Sequence, residues 1–361
     1  MKRDNNSLYR KVYKTEIGVV DPGIKDIPLL RKLPVINKAA ELLRAGEVVA
    51  FPTETVYGLG ADAGNPEAIE KIFQAKGRPQ DNPLIVHIAS KEQLRAVSDS
   101  SLKEDTLNLL EAFWPGPLTI ITGKSSLISE KTTSGLDSMA VRFPSHPVAR
   151  ALIEEADLPL AAPSANISGA PSPTTAEHVY NDLQGRIPLL IDGGPTWIGI
   201  ESTVLDTRSE APVILRPGGI SQEEIEKILG KEIRISPSES DNKGQPLSPG
   251  MKYSHYSPAT PLILAKTREE LLEKIKEYSS CNTKVILSEE SREQIKGLLP
   301  AGMEVISMGP LAKPEIIAGR IFALLRKLDR PELDYIIVEG IPEKGIGLAV
   351  MNRLYRASSK E

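Results

Sequence analysis

Cations, hydroxyls and glycines recur in short blocks of this chain, without the clustered acids that hydrolysis by paired carboxylates needs. The blocks are PTETVYGLGADA from Pro52, KGRPQDNPLIVHI from Lys76, SMAVRFPSHP from Ser138, APSANISGAPSPTT from Ala162, GGPTWIGIESTVLD from Gly193 and LRPGGI from Leu215, with PGMKYSHYSP from Pro249. Lys76 and Arg78 sit where a helical pattern ends, a place where cations offset the macrodipole in any case. The RPQDNP that follows is too polar for packing alone. Arg142 interrupts the apolar run MAVRF and needs an anion, which a structural carboxylate or a ligand carboxylate would equally supply. His87 in PLIVHI reads as a satisfied strand histidine or as a site residue. Ser164, Asn166, Ser168 and Ser172 offer hydroxyl and amide groups among small residues, suited to phosphate or ribose oxygens; a plain Pro/Ser loop is the alternative. Taken together, Lys76, Arg78, Arg142 and Arg216 point to an anionic substrate, phosphate or carboxylate.

Three segments imitate nucleotide motifs. GLGADA matches G-x-G-x-x-A in letters, but PTETVY precedes it and the next helix opens only after Asn65, so the strand–turn–helix context is missing. GKSS from Gly123 would need an earlier glycine where Leu118 stands. GIGLAV from Gly345 does follow a strand pattern and open a helix, but it lacks an acidic residue about 20 positions on and reads as a packing turn.

Strand-length apolar runs alternate with segments of helical period from Leu33 onward, which predicts an α/β or mixed α+β chain. VINKAAELLRAG places Val35, Ala39, Leu42 and Leu43 on one helical face and ends at Gly46. PEAIEKIFQAK has Asn65 as N-cap, Pro66 at its first position and Gly77 past its end. Many short strands (PLIVHI, PLTIIT, MAVRF, LPLAA, PLLID, STVLD, PVILR) imply one large twisted mixed sheet covered by helices. After Ile235 the sequence turns Ser-, Pro- and Gly-rich, and beyond it a β/α alternation predicts a small doubly wound parallel sheet. The expected organisation is an extension over 1–32, a catalytic domain over 33–235, a linker over 236–259 and a C-terminal domain over 260–361.

A chain of 361 residues can bury two cores, and 40% hydrophobic with 25% charged residues excludes disordered, collagenous and coiled-coil classes. The net charge of −4 argues against wrapping nucleic acid over the whole surface and leaves room only for a local basic groove. An RNA-binding module would spread cations along a face, whereas a small-ligand enzyme would converge them on one pocket. Cys281 is alone and His87, His146, His178 and His255 lack zinc spacing, so neither a disulfide nor a protein-bound metal is expected. No apolar run reaches about 18 residues, so membrane insertion is not expected and the cytoplasm is the expected compartment. The basic start MKRDNNSLYRKVYK reads as a solvated tail or as an arm touching RNA.

The blocks PTETVYGLGADA, KGRPQDNPLIVH, APSANISGAPSPTT, GGPTWIGIESTVLD and LRPGG, in this order over about 200 residues, resemble the YrdC-like threonylcarbamoyl-AMP synthase family. PGMKYSHYSP and the added α/β domain resemble its long form. The resemblance implies that L-threonine, bicarbonate and ATP give threonylcarbamoyl-AMP and pyrophosphate. A separate transferase would then carry the group to adenosine 37 of tRNAs reading ANN codons. It also implies that Thr55, His87, Arg142 and Ser202 surround threonine, with Arg142 on its carboxylate. Arg78, Asn82, Ser138, Ser164, Asn166, Ser172, Arg216 and Tyr256 would hold ATP, and Lys76 with Arg78 would carry catalysis. Mg²⁺ would arrive with the triphosphate, and Tyr256 would act as a lid. The alternative readings are a tRNA or double-stranded RNA contact and a carbamoyl transferase of the hydrogenase-maturation type. The acylphosphatase and zinc-finger segments of the latter are not visible here.

Overall fold

The computed structural model describes residues 12–99, 101–236, 256–300 and 302–358. Its larger sheet holds β1 (Glu16–Val19), β2 (Val49–Phe51), β3 (Gly58–Asp62), β4 (Ile85–His87), β5 (Leu118–Gly123), β6 (Ser138–Arg142), β7 (Leu160–Ala161), β8 (Leu189–Asp192), β9 (Thr203–Asp206), β10 (Val213–Arg216) and β11 (Arg234–Ile235). The spatial order is β1-β8-β2-β3-β7-β4-β6-β5-β9-β10-β11, with parallel and antiparallel neighbours mixed. Helices α1 (Ile27–Arg31), α2 (Pro34–Arg44), α3 (Pro66–Lys76), α4 (Lys91–Val97), α5 (Glu104–Phe113), α6 (Glu130–Thr133), α7 (Pro147–Ala156), α8 (Ala176–Leu183) and α9 (Gln222–Leu229) accompany it.

α3 forms as its sequence requires. The Asn65 side chain accepts from the Glu67 and Ala68 amides, Pro66 opens the helix, and Gly77 ends it at φ +63°. The phase of α2 differs from the expected face: Ile36, Ala39, Ala40 and Leu43 are buried, while Val35 and Leu42 are only partly covered. GLGADA, rejected as a nucleotide turn, supplies strand β3. Gly60 lies against Phe51, whose ring carbon would sit 2.6 Å from a Cβ at that position. Residues 16–31, within the stretch assigned to the extension, form β1 against β8 and the short α1 against α7. Residues 1–11, with most of the basic start, lie outside the described residues, as do linker residues 237–255.

The second sheet is parallel throughout. Strands β12 (Leu262–Ala265), β13 (Thr283–Ser288), β14 (Glu304–Gly309) and β15 (Tyr335–Glu339) take the order β12-β15-β13-β14. The helices are α10 (Arg268–Glu277), α11 (Glu289–Ile295), α12 (Pro314–Leu328) and α13 (Ile346–Ser358), so the doubly wound expectation is met. Val56, Ile200 and Tyr256 pack into the same buried cluster as Phe322 of α12 and Leu354 of α13, which joins the two sheets' layers by one core. Arg326 of α12 grips Asp182 of α8 through Nη1 at 3.0 Å and Nη2 at 2.8 Å. Among the described residues no helix is long and apolar enough to cross a membrane.

Candidate active site

Register across the large sheet builds the site. His87 on β4 pairs with Arg142 on β6, Arg142 with Thr119 on β5, Thr119 with Val204 on β9, and Val204 with Arg216 on β10. Paired residues share a face of the pleat, so two buried arginines and a buried histidine stand in one row over five strands. Loops from neighbouring strand ends close over this row. The resulting cavity, about 60 Å³, is lined by the expected Thr55, Arg78, His87, Arg142, Ser164, Asn166, Ser172, Ser202, Arg216 and Tyr256. Thr53, Tyr57 and Glu201 also line it.

Arg142 already has a structural carboxylate. Its Nη2 lies 2.7 Å from Oε1 of the fully buried Glu54, while Nη1 donates to Thr55 Oγ1 at 2.9 Å and Nε to the Gly116 carbonyl at 3.2 Å. Burial, the largest single influence, would raise the Glu54 carboxyl, but the Arg142 charge and hydrogen bond together with the Glu54 and Ser145 backbone outweigh it and hold the group below its ordinary range. The pair is thus a fixed wall that still leaves guanidinium N–H capacity for a ligand, since arginine has five donors. His87 is pushed down to about 3, first by burial and then by Arg142, and is neutral at physiological pH. Its Nδ1 lies 3.1 Å from the Ile85 carbonyl.

The opposite wall is the S-A-N loop, and Lys76 sets its shape. Lys76 does not line the cavity; its ammonium donates to the carbonyls of Ser164 at 2.5 Å and Asn166 at 2.6 Å. Burial and the nearby Arg78 charge lower its pKa well below the ordinary lysine value. Asn166 Nδ2 donates to the Ile167 and Ala170 carbonyls, which tightens the same loop. Arg78 folds back onto the carbonyls of Asn82 and Pro83. Asn82 lies behind the cavity wall, buried, and neither atom of its side-chain amide finds a hydrogen-bond partner. An unsatisfied buried amide is costly and is a ready contact for a ligand.

Ser202 joins the row to the LRPGG loop. Its Oγ lies 2.7 Å from Thr119 Oγ1, and its carbonyl accepts from Arg216 Nε and Nη2. Gly218 permits this closeness, because a Cβ there would come within 2.3 Å of the Ser202–Thr203 peptide. Ser172 donates to Glu201 Oε1 at 2.5 Å, and Arg353 of α13 holds the other carboxylate oxygen at 2.9 Å. Tyr256 closes the remaining side, stacked on Phe322 with ring centroids 5.3 Å apart, in the left-handed region at φ +69°.

Ser138 stands apart, in a second cavity of about 470 Å³ with Thr122, Lys103 and Arg208. It shares the strand and the pleat face of Arg142, roughly 13 Å away at four strand residues. Between them Ile85, Ile121, Ala140 and Val204 form a buried apolar strip. Glu54, Glu201 and Arg353 were not singled out from the sequence. Arg353 was the most findable, since it sits at the buried helical spacing of Ala349, Val350, Leu354 and Ala357.

The comparisons agree with this architecture. A family model described as telomere recombination, named for Sua5, YciO and YrdC, matches residues 41–218, and one described as threonylcarbamoyl-AMP synthase, C-terminal domain, matches residues 220–359. The chain is 49% identical to the threonylcarbamoyl-AMP synthase of Bacillus subtilis, over 90% of this chain and 93% of that one. It is 48% identical to that of Pyrococcus abyssi, over 90% and 94%. The crystal structure of P. abyssi Sua5 complexed with L-threonine superposes with a TM-score of 0.84 at 45% identity, covering 95% of this chain and 97% of that one. With both of its domains matched and its relatives covered almost end to end, this chain belongs to the threonylcarbamoyl-AMP synthase family.

Proposed function

We propose that the cavity over the Arg142 row condenses L-threonine, bicarbonate or carbon dioxide, and ATP into threonylcarbamoyl-AMP and pyrophosphate, a nucleotidyl transfer. The observation that carries this reading is the convergence of Arg78, Arg142 and Arg216 on one cavity. Cations spread along a face would have suited RNA instead. The threonine amine takes up carbon dioxide and loses a proton to give a carbamate. A carbamate oxygen then attacks the α-phosphorus, forming the O–P bond as the bond to pyrophosphate breaks. No protein nucleophile takes part, so catalysis rests on positioning and charge.

In this reading Arg142, fixed by Glu54 and Thr55, takes the threonine carboxylate, with neutral His87 and Ser202 beside it. Arg78 and Arg216 face the phosphates, with Ser164, Asn166 and Ser172 on the nucleotide's polar edge. Lys76 acts through the loop it clamps. The apolar strip from Val204 and Ile121 to Ala140 would carry the base toward Ser138, which accounts for a nucleotide residue in a separate cavity. Mg²⁺ would be held by the triphosphate, because Glu201 at the cavity and Glu54 behind its wall are each engaged by an arginine.

Tyr256, which lines the cavity and stacks on Phe322, would close over the bound nucleotide and exclude water from the product. The product, a mixed carbamic–phosphoric anhydride, would pass to a transferase acting on tRNA, in the cytoplasm. Pyrophosphate release measured with ATP, L-threonine or bicarbonate omitted in turn tests the reading: release must vanish in each case, and threonine-independent release refutes it.

A further inference from the structure

Arg353 is among the largest fully buried side chains and lies on the last described helix, far along the chain from the cavity-forming blocks. A guanidinium amid the apolar face of α13 is expensive unless its charge is used. Apart from Asn352 Oδ1, next to it on the same helix, its partners belong to the cavity wall or adjoin it. Nε donates to Glu201 Oε2 at 2.9 Å, and Nη1 donates at 2.6 Å to the carbonyl of Pro217, the residue after Arg216. The guanidinium carbon lies 5.6 Å from the centroid of the Tyr256 ring. Glu201 in turn fixes Ser172, so one side chain from the C-terminal domain reaches three cavity-lining residues, Glu201 and Tyr256 directly and Ser172 through Glu201, besides Pro217.

The helix is itself tied to the catalytic domain at its start, where the Gly345 amide donates to Glu223 Oε1 at 3.1 Å. The position of Arg353 is therefore set by domain docking. Its charge also matters. With Arg353 present, the Glu201 carboxylate at the wall is neutralised by a partner 2.9 Å away. Without it, the cavity would present a buried negative charge to an incoming polyanion.

We propose that Arg353 is a positioning residue of the nucleotide site, through which the C-terminal domain neutralises Glu201 and holds the Ser172, Pro217 and Tyr256 walls in place for ATP. This rests on the assignment of ATP to the cavity. The test is calorimetric binding of ATP with Mg²⁺, and separately of L-threonine, to the full chain and to Arg353→Gln, Glu201→Gln and the double variant. Arg353→Gln should weaken ATP about tenfold or more and L-threonine by less than about twofold, since Arg142 and Glu54 are untouched. The double variant, which removes the stranded carboxylate, should return to within about threefold of wild type for ATP. An unchanged ATP affinity in Arg353→Gln overturns the proposal, as does an equal loss for both ligands or a double variant no better than the single one. Arg353→Lys keeps the charge and serves if the Gln variant does not fold; it should retain ATP affinity within about fivefold, and an equal loss for both ligands overturns the proposal there too. A wild-type chain that binds no ATP would refute the functional reading itself, and this inference with it.

Discussion

Arg142→Gln separates the two halves of the proposed reaction. In the wild type two of the five N–H donors of Arg142 go to Thr55 and Gly116 while Nη2 sits against Glu54 as an ion pair, so at least two are left for a ligand carboxylate. Hydrogen bonds to charged groups contribute about 1.5–3 kcal/mol each, so losing two costs roughly 3 kcal/mol or more, about a hundredfold in the threonine requirement. The ATP requirement should change by less than about threefold. The substitution also strands Glu54, buried without its counter-ion, at a cost of about 3–5 kcal/mol of stability.

The pH dependence of that instability is diagnostic. In the wild type Glu54 is depressed, so its stabilisation is present above the unfolded value of 4.5 and is lost as pH falls through the folded pKa. In Arg142→Gln burial dominates over the remaining Glu54 and Ser145 backbone hydrogen bonds, the folded pKa rises above the unfolded one, and the variant should gain stability relative to wild type as the pH is lowered. Arg142→Gln/Glu54→Gln should recover stability without recovering the threonine requirement. Pyrophosphate release with each substrate titrated at saturating levels of the others, beside urea unfolding at several pH values, reads all of this. Equal rises in the threonine and ATP requirements would refute the carboxylate role, and a stability deficit that deepens in acid would refute the Glu54 argument.

Other consequences are as direct. Lys76→Met removes both loop-clamping hydrogen bonds and should raise the ATP requirement about tenfold while leaving some turnover; complete loss of chemistry with unchanged ATP binding would instead put the ammonium at the reacting atoms. Ser138→Ala should raise the ATP requirement about threefold and leave threonine untouched, and no change in either would detach the second cavity from the nucleotide. His87 and His146 are held down to about 3 and about 4 by burial, so the unfolded chain takes up protons below pH 6.5 that the folded chain refuses. Stability should therefore fall between pH 6.5 and 5 by up to about 1.4 kcal/mol per unit for each histidine; a flat urea midpoint across that window contradicts neutral burial.

Much of the scaffold was legible because local rules decide it. The Asn65–Pro66 start and Gly77 stop of α3 are satisfied within a dozen residues, and the C-terminal β/α alternation announces itself by period. Strand β3 was hidden because Gly58 and Gly60 remove the side chains by which a strand is recognised, and Phe51, which makes glycine necessary, belongs to another strand. The site was legible by residue type: the blocks contained most of the cavity's lining. Which charges pair was not legible, because Glu54–Arg142 and Glu201–Arg353 join residues 88 and 152 positions apart in sequence, and nothing local selects one carboxylate over another.

Those two pairs explain why a cavity meant for polyanions can be stable before its ligand arrives. Arg142 unpaired in an apolar sheet would cost several kcal/mol, as would Glu201 unpaired at the cavity wall. Each is neutralised by a partner that does its work from behind the wall, so folding is secured without consuming the outward face. The division of labour is unequal, however. Glu54 follows directly on strand β2 and is delivered by the catalytic domain itself, whereas Arg353 arrives on a helix of the second domain. In the proposed assignment the threonine end of the site is therefore built by the first sheet, and the nucleotide end depends on docking of the second. Arg326 pairs with Asp182 across the two domains and also donates to the Pro171 carbonyl beside Ser172, so its loss should lower ATP affinity before threonine affinity. Arg326→Ala binding the two ligands with equal losses would show that the domains act as one rigid block.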